Sequence, residues 1–303
     1  MASLITGATG LIGRALFPQL GASTRVLSRN PDKAASTLTG ASAFAWVPEE
    51  GPPPSQAFDD VDLVFHLAGE SVGEGRWSSE RKRRIRNSRV LGTRHLVQAL
   101  GGLEKRPKVL VSGSAVGFYG DRGDELLEEQ GSSGEGFLAE VCQEWEREAL
   151  AAAELGIRVV LIRSGVVLAR NGGALAKMLT PFKMGVGGRL GHGQQWMPWI
   201  HLDDEVGLLL HAAQNESLSG PLNAVAPEPV RNSEFTRTLA KVLGRPAFVP
   251  VPGAALKLLF GEMSQVLTAS QRAVPQAAQE SGYVFKYPAL EQALVALLKT
   301  ESA

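Results

Sequence analysis

Glycines at positions 7, 10 and 13 close an apolar run in Leu4-Ile5-Thr6-Gly7-Ala8-Thr9-Gly10-Leu11-Ile12-Gly13. Apolar residues running into glycine and then into helical periodicity read as strand, tight turn and helix start. Gly7 can take the backbone angles of such a turn, Gly10 lets a ligand touch the main chain, and Gly13 lets the helix pack close on the strand. Together with Thr9, Leu11 and Ile12, they aim the free amides of a helix N-terminus at an anion, the geometry that holds a pyrophosphate. The following segment, Thr24-Arg25-Val26-Leu27-Ser28, reads as a second strand ending at Ser28-Arg29. An acidic residue at that point would hold the ribose hydroxyls of NAD. Arg29 can instead pair bidentately with a 2′-phosphate, and Ser28 can add a hydrogen bond, so NADP(H) is the expected cofactor.

Further chemistry collects at the ends of later strands. His66-Leu67-Ala68-Gly69-Glu70 follows a buried strand, and the small residues leave space for a cofactor at the edge where open α/β sheets bind ligands. Leu67, Ala68, Gly69 and Glu70 are therefore expected to touch the cofactor, whereas His66, set in an apolar run, is expected in the core. Val109-Leu110-Val111-Ser112 leads into Gly113-Ser114-Ala115-Val116-Gly117-Phe118-Tyr119-Gly120, which places hydroxyls at the next strand end. Tyr119 is expected to be the one tyrosine on that edge. Between Glu80 and Arg89 six of ten residues are basic. Helical spacing puts Lys82, Ile85, Arg89, Gly92 and Leu96 on one stripe, and an arginine on an inward stripe needs a carboxylate or an anionic ligand. Gln194-Gln195-Trp196-Met197-Pro198-Trp199-Ile200-His201 reads either as a pocket wall or as a core-packed aromatic corner.

The elements that must position these residues follow from pattern. The 303 residues can bury a large core and suit one domain with a smaller lobe. Short apolar strands alternating with helices predict a Rossmann-type doubly wound parallel sheet over residues 1–170, with a returning strand at 222–225. Residues 171–303 are expected to form a smaller C-terminal substrate lobe. Expected helices cover Leu11–Leu20, Gly136–Leu155, Pro250–Leu267 and Pro288–Leu298; expected strands include Ala43–Val47, Val61–Leu67 and Arg158–Leu168. Lys+Arg and Asp+Glu both total 31, and no aromatic interrupts the basic run, which argues against nucleic acid and anionic membranes as partners. One cysteine, Cys142, excludes an internal disulfide and a cysteine-built metal site. An immediate first strand and no long apolar run lead to the expectation of a cytoplasmic protein with a small-molecule partner.

Taken together, the 6–13 turn, His66-Leu67-Ala68-Gly69-Glu70, Gly92-Thr93, the 114–120 segment and Trp199-Ile200-His201-Leu202-Asp203-Asp204 resemble the extended short-chain dehydrogenase/reductases. More closely, the chain is similar to their atypical branch of epimerase-like proteins with a dedicated C-terminal domain, a likeness that runs on through Asn223–Val230 and Gly282–Leu294. In typical members a Tyr-x-x-x-Lys pair on the helix here spanning Phe137 to Glu148 moves the proton while hydride is transferred. This sequence reads Phe137-Leu138-Ala139-Glu140-Val141-Cys142, so that pair is missing, and Arg89 replaces the usual Asn three positions before Gly92-Thr93. The resemblance implies an NADP(H)-dependent oxidoreductase or epimerase acting on a small polar molecule between two lobes. Tyr119 would then be the replacement acid/base, Ser114 would orient a substrate oxygen, and Arg89 would neutralise an anionic group. It also allows a homodimer through helices of the first domain. The alternative is a catalytically inactive NADP(H)-binding sensor or scaffold.

Overall fold

The computed structural model describes residues 2–299. In chain order its elements begin β1 (Ala2–Thr6), α1 (Leu11–Leu16), β2 (Arg25–Ser28), α2 (Pro31–Thr37), β3 (Ser42–Ala45), β4 (Val61–His66) and α3 (Ser79–Gly101). They continue through β5 (Val109–Ala115), β6 (Leu126–Leu127), α4 (Phe137–Leu150), β7 (Arg158–Ser164), β8 (Val166–Ala169), α5 (Gly173–Lys183), β9 (Trp196–Met197) and β10 (Trp199–His201). The remainder comprises α6 (Leu202–Gln214), β11 (Gly220–Ala224), β12 (Val230–Arg231), α7 (Asn232–Leu243), α8 (Gly253–Phe260), α9 (Ser264–Thr268), β13 (Arg272–Ala273), α10 (Gln276–Glu280) and α11 (Leu290–Lys299).

Among the described residues, seven strands form one parallel sheet in the order β11-β7-β5-β4-β1-β2-β3. The order runs outward from β1 in both directions, so the chain reverses its sense of winding between β1 and β4 and opens a crevice at the strands' carboxyl ends. The sheet is covered on both faces because its strands are apolar at successive positions. Ile5, Val26, Phe65 and Val111 pack with Leu208, Leu209 and Ala212 of α6. Their neighbours Leu4, Leu27, Val64 and Leu110 pack on the opposite face with Leu96 and Leu100 of α3 and Ala149 of α4. Each such fully buried Leu, Ile or Phe contributes about 1.5–3 kcal/mol of transfer free energy.

A further core joins α5, α7, α11 and β8 through Leu175, Leu179, Phe182, Phe235, Leu239, Leu290 and Leu294. The strand expected at 158–168 is two strands: at Gly165 a Cβ would stand 2.8 Å from Pro198 O, and beyond it β8 leaves the main sheet to pair with β10. The first helix stops at Leu16 and tightens into a single turn over Phe17–Gln19, because Pro18 has no amide to continue the ladder. The helix expected over 250–267 breaks at Gly261, whose φ of +60° is left-handed. The helix expected from Gly136 ends at Leu150 and continues as a tighter turn to Leu155, and the strand expected at 43–47 lies at Ser42–Ala45.

Candidate functional site

The glycine turn follows β1 directly. Gly7 has φ +71°, and a Cβ there would stand 2.7 Å from the carbonyl carbon of Leu67, so the turn lies flat against the end of β4. At Gly13 a Cβ would fall 2.6 Å from Ala8 Cα, which no side chain could accommodate, so the helix sits tight on the strand. Gly10 differs: it is exposed, and its Cβ would meet only Gly7 O at 3.2 Å. The protein itself does not demand a glycine there; close approach of a ligand would. Gly10 caps α1 with no side chain of its own, leaving the first amides, including those of Leu11 and Ile12, without intrahelical acceptors. Leu11 also packs its side chain toward Gly172, where a Cβ would stand 2.8 Å from Leu11 Cδ1. Thr9 is half-buried beside the turn.

At the end of β2, Ser28 Oγ donates to Asn30 O at 3.1 Å and accepts from Asn30 N at 3.2 Å. That hydroxyl closes a local turn. Arg29 beside it is exposed and makes no hydrogen bond or ion pair among the described residues. At the end of β4, Thr6 Oγ1 accepts from Ala68 N at 3.0 Å and lies 2.8 Å from His66 Nδ1, while His66 Nε2 lies 2.9 Å from Thr93 Oγ1. His66 is fully buried, and that burial pulls its pKa down to about 4, as suits a neutral core histidine. Gly69 is exposed; Glu70, expected to touch the cofactor, pairs its carboxylate with Arg81 at 2.5 Å. The basic run on α3 is in part a paired face: Lys82 bonds Glu262 and Arg86 bonds Glu144, each at 2.6 Å.

The three residues expected to carry chemistry fare differently. Ser114, at the end of β5, donates to Glu146 Oε1 at 2.6 Å. Arg89 packs its guanidinium against Gly69, where a Cβ would stand 3.0 Å from Cζ, and lies 5.2 Å over the Trp145 ring. Tyr119, expected as the acid/base, turns its ring inward. It is 0 % exposed, and its hydroxyl lies 2.8 Å from Asn223 Oδ1 and 3.0 Å from Glu128 O while accepting from Arg163 Nη1 at 2.9 Å. Burial raises its pKa, so the phenol keeps its proton.

Residues 3–224 match the model of the NAD dependent epimerase/dehydratase family. The chain belongs to that family. Residues 251–297 match a domain of unknown function, DUF1731. The chain is 43% identical over 300 residues to the chloroplastic epimerase family protein SDR39U1 homolog of Arabidopsis thaliana, covering 97% of this chain and 86% of that one. An epimerase family protein of Mycobacterium leprae is 39% identical over 291 residues, 96% of this chain and 93% of its own. The crystal structure of human epimerase family protein SDR39U1 with NADPH superposes with a TM-score of 0.87 at 33% identity, covering 99% of this chain and 100% of that one.

Relative to the pattern of this family, α4 presents Leu138 and Cys142 to the 113–120 segment: a Cβ at Gly117 would stand 3.5 Å from Leu138 Cβ and 3.7 Å from Cys142 Sγ. Burial pushes the Cys142 thiol up to about 12, so it carries no charge. Sequence reading missed the group that organises this region. Arg163 of β7 donates from Nε and Nη2 to Glu146 Oε1 and Oε2, each at 2.8 Å, and its guanidinium stacks 3.5 Å over the Phe118 ring. Ser114, Glu146, Arg163, Tyr119 and Asn223 thus form one buried polar chain across the carboxyl ends of β5, β7 and β11. The available signal was a lone arginine inside the apolar run of β7.

The tryptophan segment resolves toward the interior. Trp199 is 1 % exposed within the C-terminal core, and His201 accepts from Asp203 N at 3.0 Å to cap α6 while stacking on Tyr287. Trp196 stays half-buried, donating to Asp124 at 2.7 Å with the guanidiniums of Arg231 and Arg272 against its ring. Glu205, also unforeseen, is 1 % exposed; burial raises its carboxyl to about 7 against the Ser164 hydroxyl, which donates to Oε1 at 2.6 Å. Among the described residues no group of His, Cys, Asp and Glu is arranged to hold a metal, and no helix is long and apolar enough to cross a membrane.

Proposed function

We propose that this chain binds NADP(H) and transfers hydride to or from a small polar alcohol or carbonyl compound. The observation that carries the cofactor assignment is the free guanidinium of Arg29 at the end of β2, beside a glycine turn whose Gly10 leaves room for a phosphate. Gly7, Gly10 and Gly13 with the amides of Leu11 and Ile12 would hold the pyrophosphate, Arg29 the 2′-phosphate, and the Leu67–Gly69 backbone the path toward the second ribose. Ser28 and Glu70 lie at the ends of β2 and β4 on the same path, their side chains held by Asn30 and Arg81. The relative solved with NADPH supports the same reading.

When bound, the nicotinamide supplies or accepts the hydride. Ser114 then orients the substrate oxygen. Its proton is committed to Glu146, which leaves its lone pairs as acceptors for a substrate hydroxyl, and Arg163 holds the Glu146 carboxylate in place through two hydrogen bonds. Arg89 supplies positive charge at the same end of the crevice and stabilises negative charge developing on the substrate oxygen, whose proton is exchanged with solvent water. Residues 1–170 with the 222–225 strand hold the cofactor in this proposal, and residues 171–303 close over the substrate. A binding-only sensor or scaffold is the second reading, favoured by the sealed Tyr119 and by Leu138 and Cys142 on α4.

Nicotinamide absorbance, followed with NADPH and a panel of carbonyls and nucleotide sugars, separates the two, with product analysis added for a hydride that is returned. Substrate-dependent conversion supports the enzyme; binding without conversion across the panel supports the scaffold. Arg29→Ala should weaken NADPH binding about tenfold or more relative to NADH. Equal weakening of both contradicts the 2′-phosphate assignment.

A further inference from the structure

Arg89 is a cation that makes no ion pair among the described residues. Both of its hydrogen bonds come from Nη1 and go to main-chain carbonyls, Glu70 O at 2.9 Å and Ile85 O at 3.1 Å. Nε and Nη2 have no hydrogen-bond partner among the described residues. The Glu70 carboxylate, whose charge favours the Arg89 cation without an ion pair, is paired with Arg81, itself a like charge, and the Cys142 thiol close by is protonated. Packing against Gly69 and Trp145 leaves the side chain part-buried, and that burial pulls its pKa below the usual arginine value. A part-buried guanidinium with Nε and Nη2 unbonded to protein is a fixed pair of donors for a ligand's oxygens.

Its place on the sheet says which ligand. Gly7 rests on Leu67 and Ala68, and the next residue, Gly69, rests on the Arg89 guanidinium. Arg29 lies at the end of β2 on one side of β1; Arg89 lies beyond the end of β4 on the other, beside α4. A dinucleotide laid across the crevice with its pyrophosphate on the glycine turn and its phosphorylated ribose at Arg29 brings its second ribose to the β4 side. We propose that Arg89 completes its hydrogen bonding on the hydroxyls of that second, nicotinamide-bearing ribose, so that the chain grips NADP(H) with one arginine at each end of the glycine turn. This rests on the NADP(H) reading above. It makes Arg89 a positioning residue for the ring as well as a source of charge, because a ribose held by a fixed fork presents the ring in one orientation.

The test compares NADPH with 2′,5′-ADP, which carries the 2′-phosphate and adenosine but lacks the second ribose and ring. Calorimetry on the full chain should show Arg89→Met weakening NADPH about tenfold to a hundredfold, with 2′,5′-ADP unchanged and the melting temperature near that of the wild type. Arg89→Lys keeps the charge without the fork and serves the same comparison where Met unsettles the fold. Loss confined to NADPH supports the assignment; loss on both ligands, or on neither, overturns it. A wild-type chain that binds neither ligand sinks the NADP(H) reading instead, and so the two failures are distinguishable.

Discussion

Glu205→Gln should make the protein more stable at alkaline pH and leave it nearly unchanged at acidic pH. Glu205 lies in the first turn of α6, where the helix dipole favours a carboxylate, yet burial outweighs the dipole and the Ser164 hydrogen bond and raises the carboxyl from 4.5 to about 7. Its Oε2 has no hydrogen-bond partner, so the folded chain accepts a proton there that the unfolded chain releases. The sign follows from the raised value. The protonated carboxyl contributes its stability in full below the unfolded pKa, and that contribution is lost as pH rises through about 7. Raising the carboxyl from 4.5 to about 7 corresponds to about 3 kcal/mol of stability lost between the acidic and alkaline limits. Glutamine keeps the acceptor for Ser164 and places an uncharged group at Oε2, so it mimics the protonated acid at every pH. Urea denaturation of both proteins from pH 5 to 9 should show the variant drawing ahead by about 2.5 kcal/mol, most of it between pH 5 and 7, with unchanged m values. His66 titrates in both proteins and cancels from the difference. A difference that stays constant with pH would refute the argument that Glu205 is held protonated by its surroundings.

Three further substitutions probe the site. Gly10→Ala meets only Gly7 O, at 3.2 Å, so it should cost less than about 1 kcal/mol of stability while abolishing tight NADPH binding; calorimetry beside a thermal melt checks both, and unchanged affinity contradicts the phosphate cradle. Tyr119→Phe removes the partner shared by Arg163 and Asn223, and should cost about 1–3 kcal/mol in denaturation while leaving any turnover intact; lost turnover at full stability would return the phenol to the chemistry. Glu146→Gln leaves the Arg163 charge buried and unpaired, with an expected loss of about 3–5 kcal/mol, and a melting temperature equal to the wild type would show that the pair is not what organises this region.

The sequence by itself determined whatever depends on neighbours a few residues apart. Gly7, Gly10 and Gly13 must form a tight turn because strand, turn and helix start are consecutive, and Arg29 must sit at the end of β2 because it directly follows the strand. Asn30 caps α2 for the same local reason, its side chain accepting from Lys33 N at 3.0 Å with Pro31 opening the helix. The alternation of short strands and helices likewise limited the fold to a doubly wound sheet.

Tertiary structure decided which way side chains face once the chain leaves a strand. Tyr119 lies at the end of the one-turn helix after β5, and nothing in Val116-Gly117-Phe118-Tyr119 tells whether the ring turns to the crevice or inward. It turns inward because Arg163, Asn223 and Glu128, far apart in sequence, converge there and satisfy a hydroxyl that solvent would otherwise hold. Glu146 and Arg163 are 17 residues apart on different elements, and only the docking of α4 on β7 makes them a buried pair. Arg89 could be read as inward from its helical spacing, but that its guanidinium would find carbonyls and no carboxylate was settled by packing against Gly69 and Trp145.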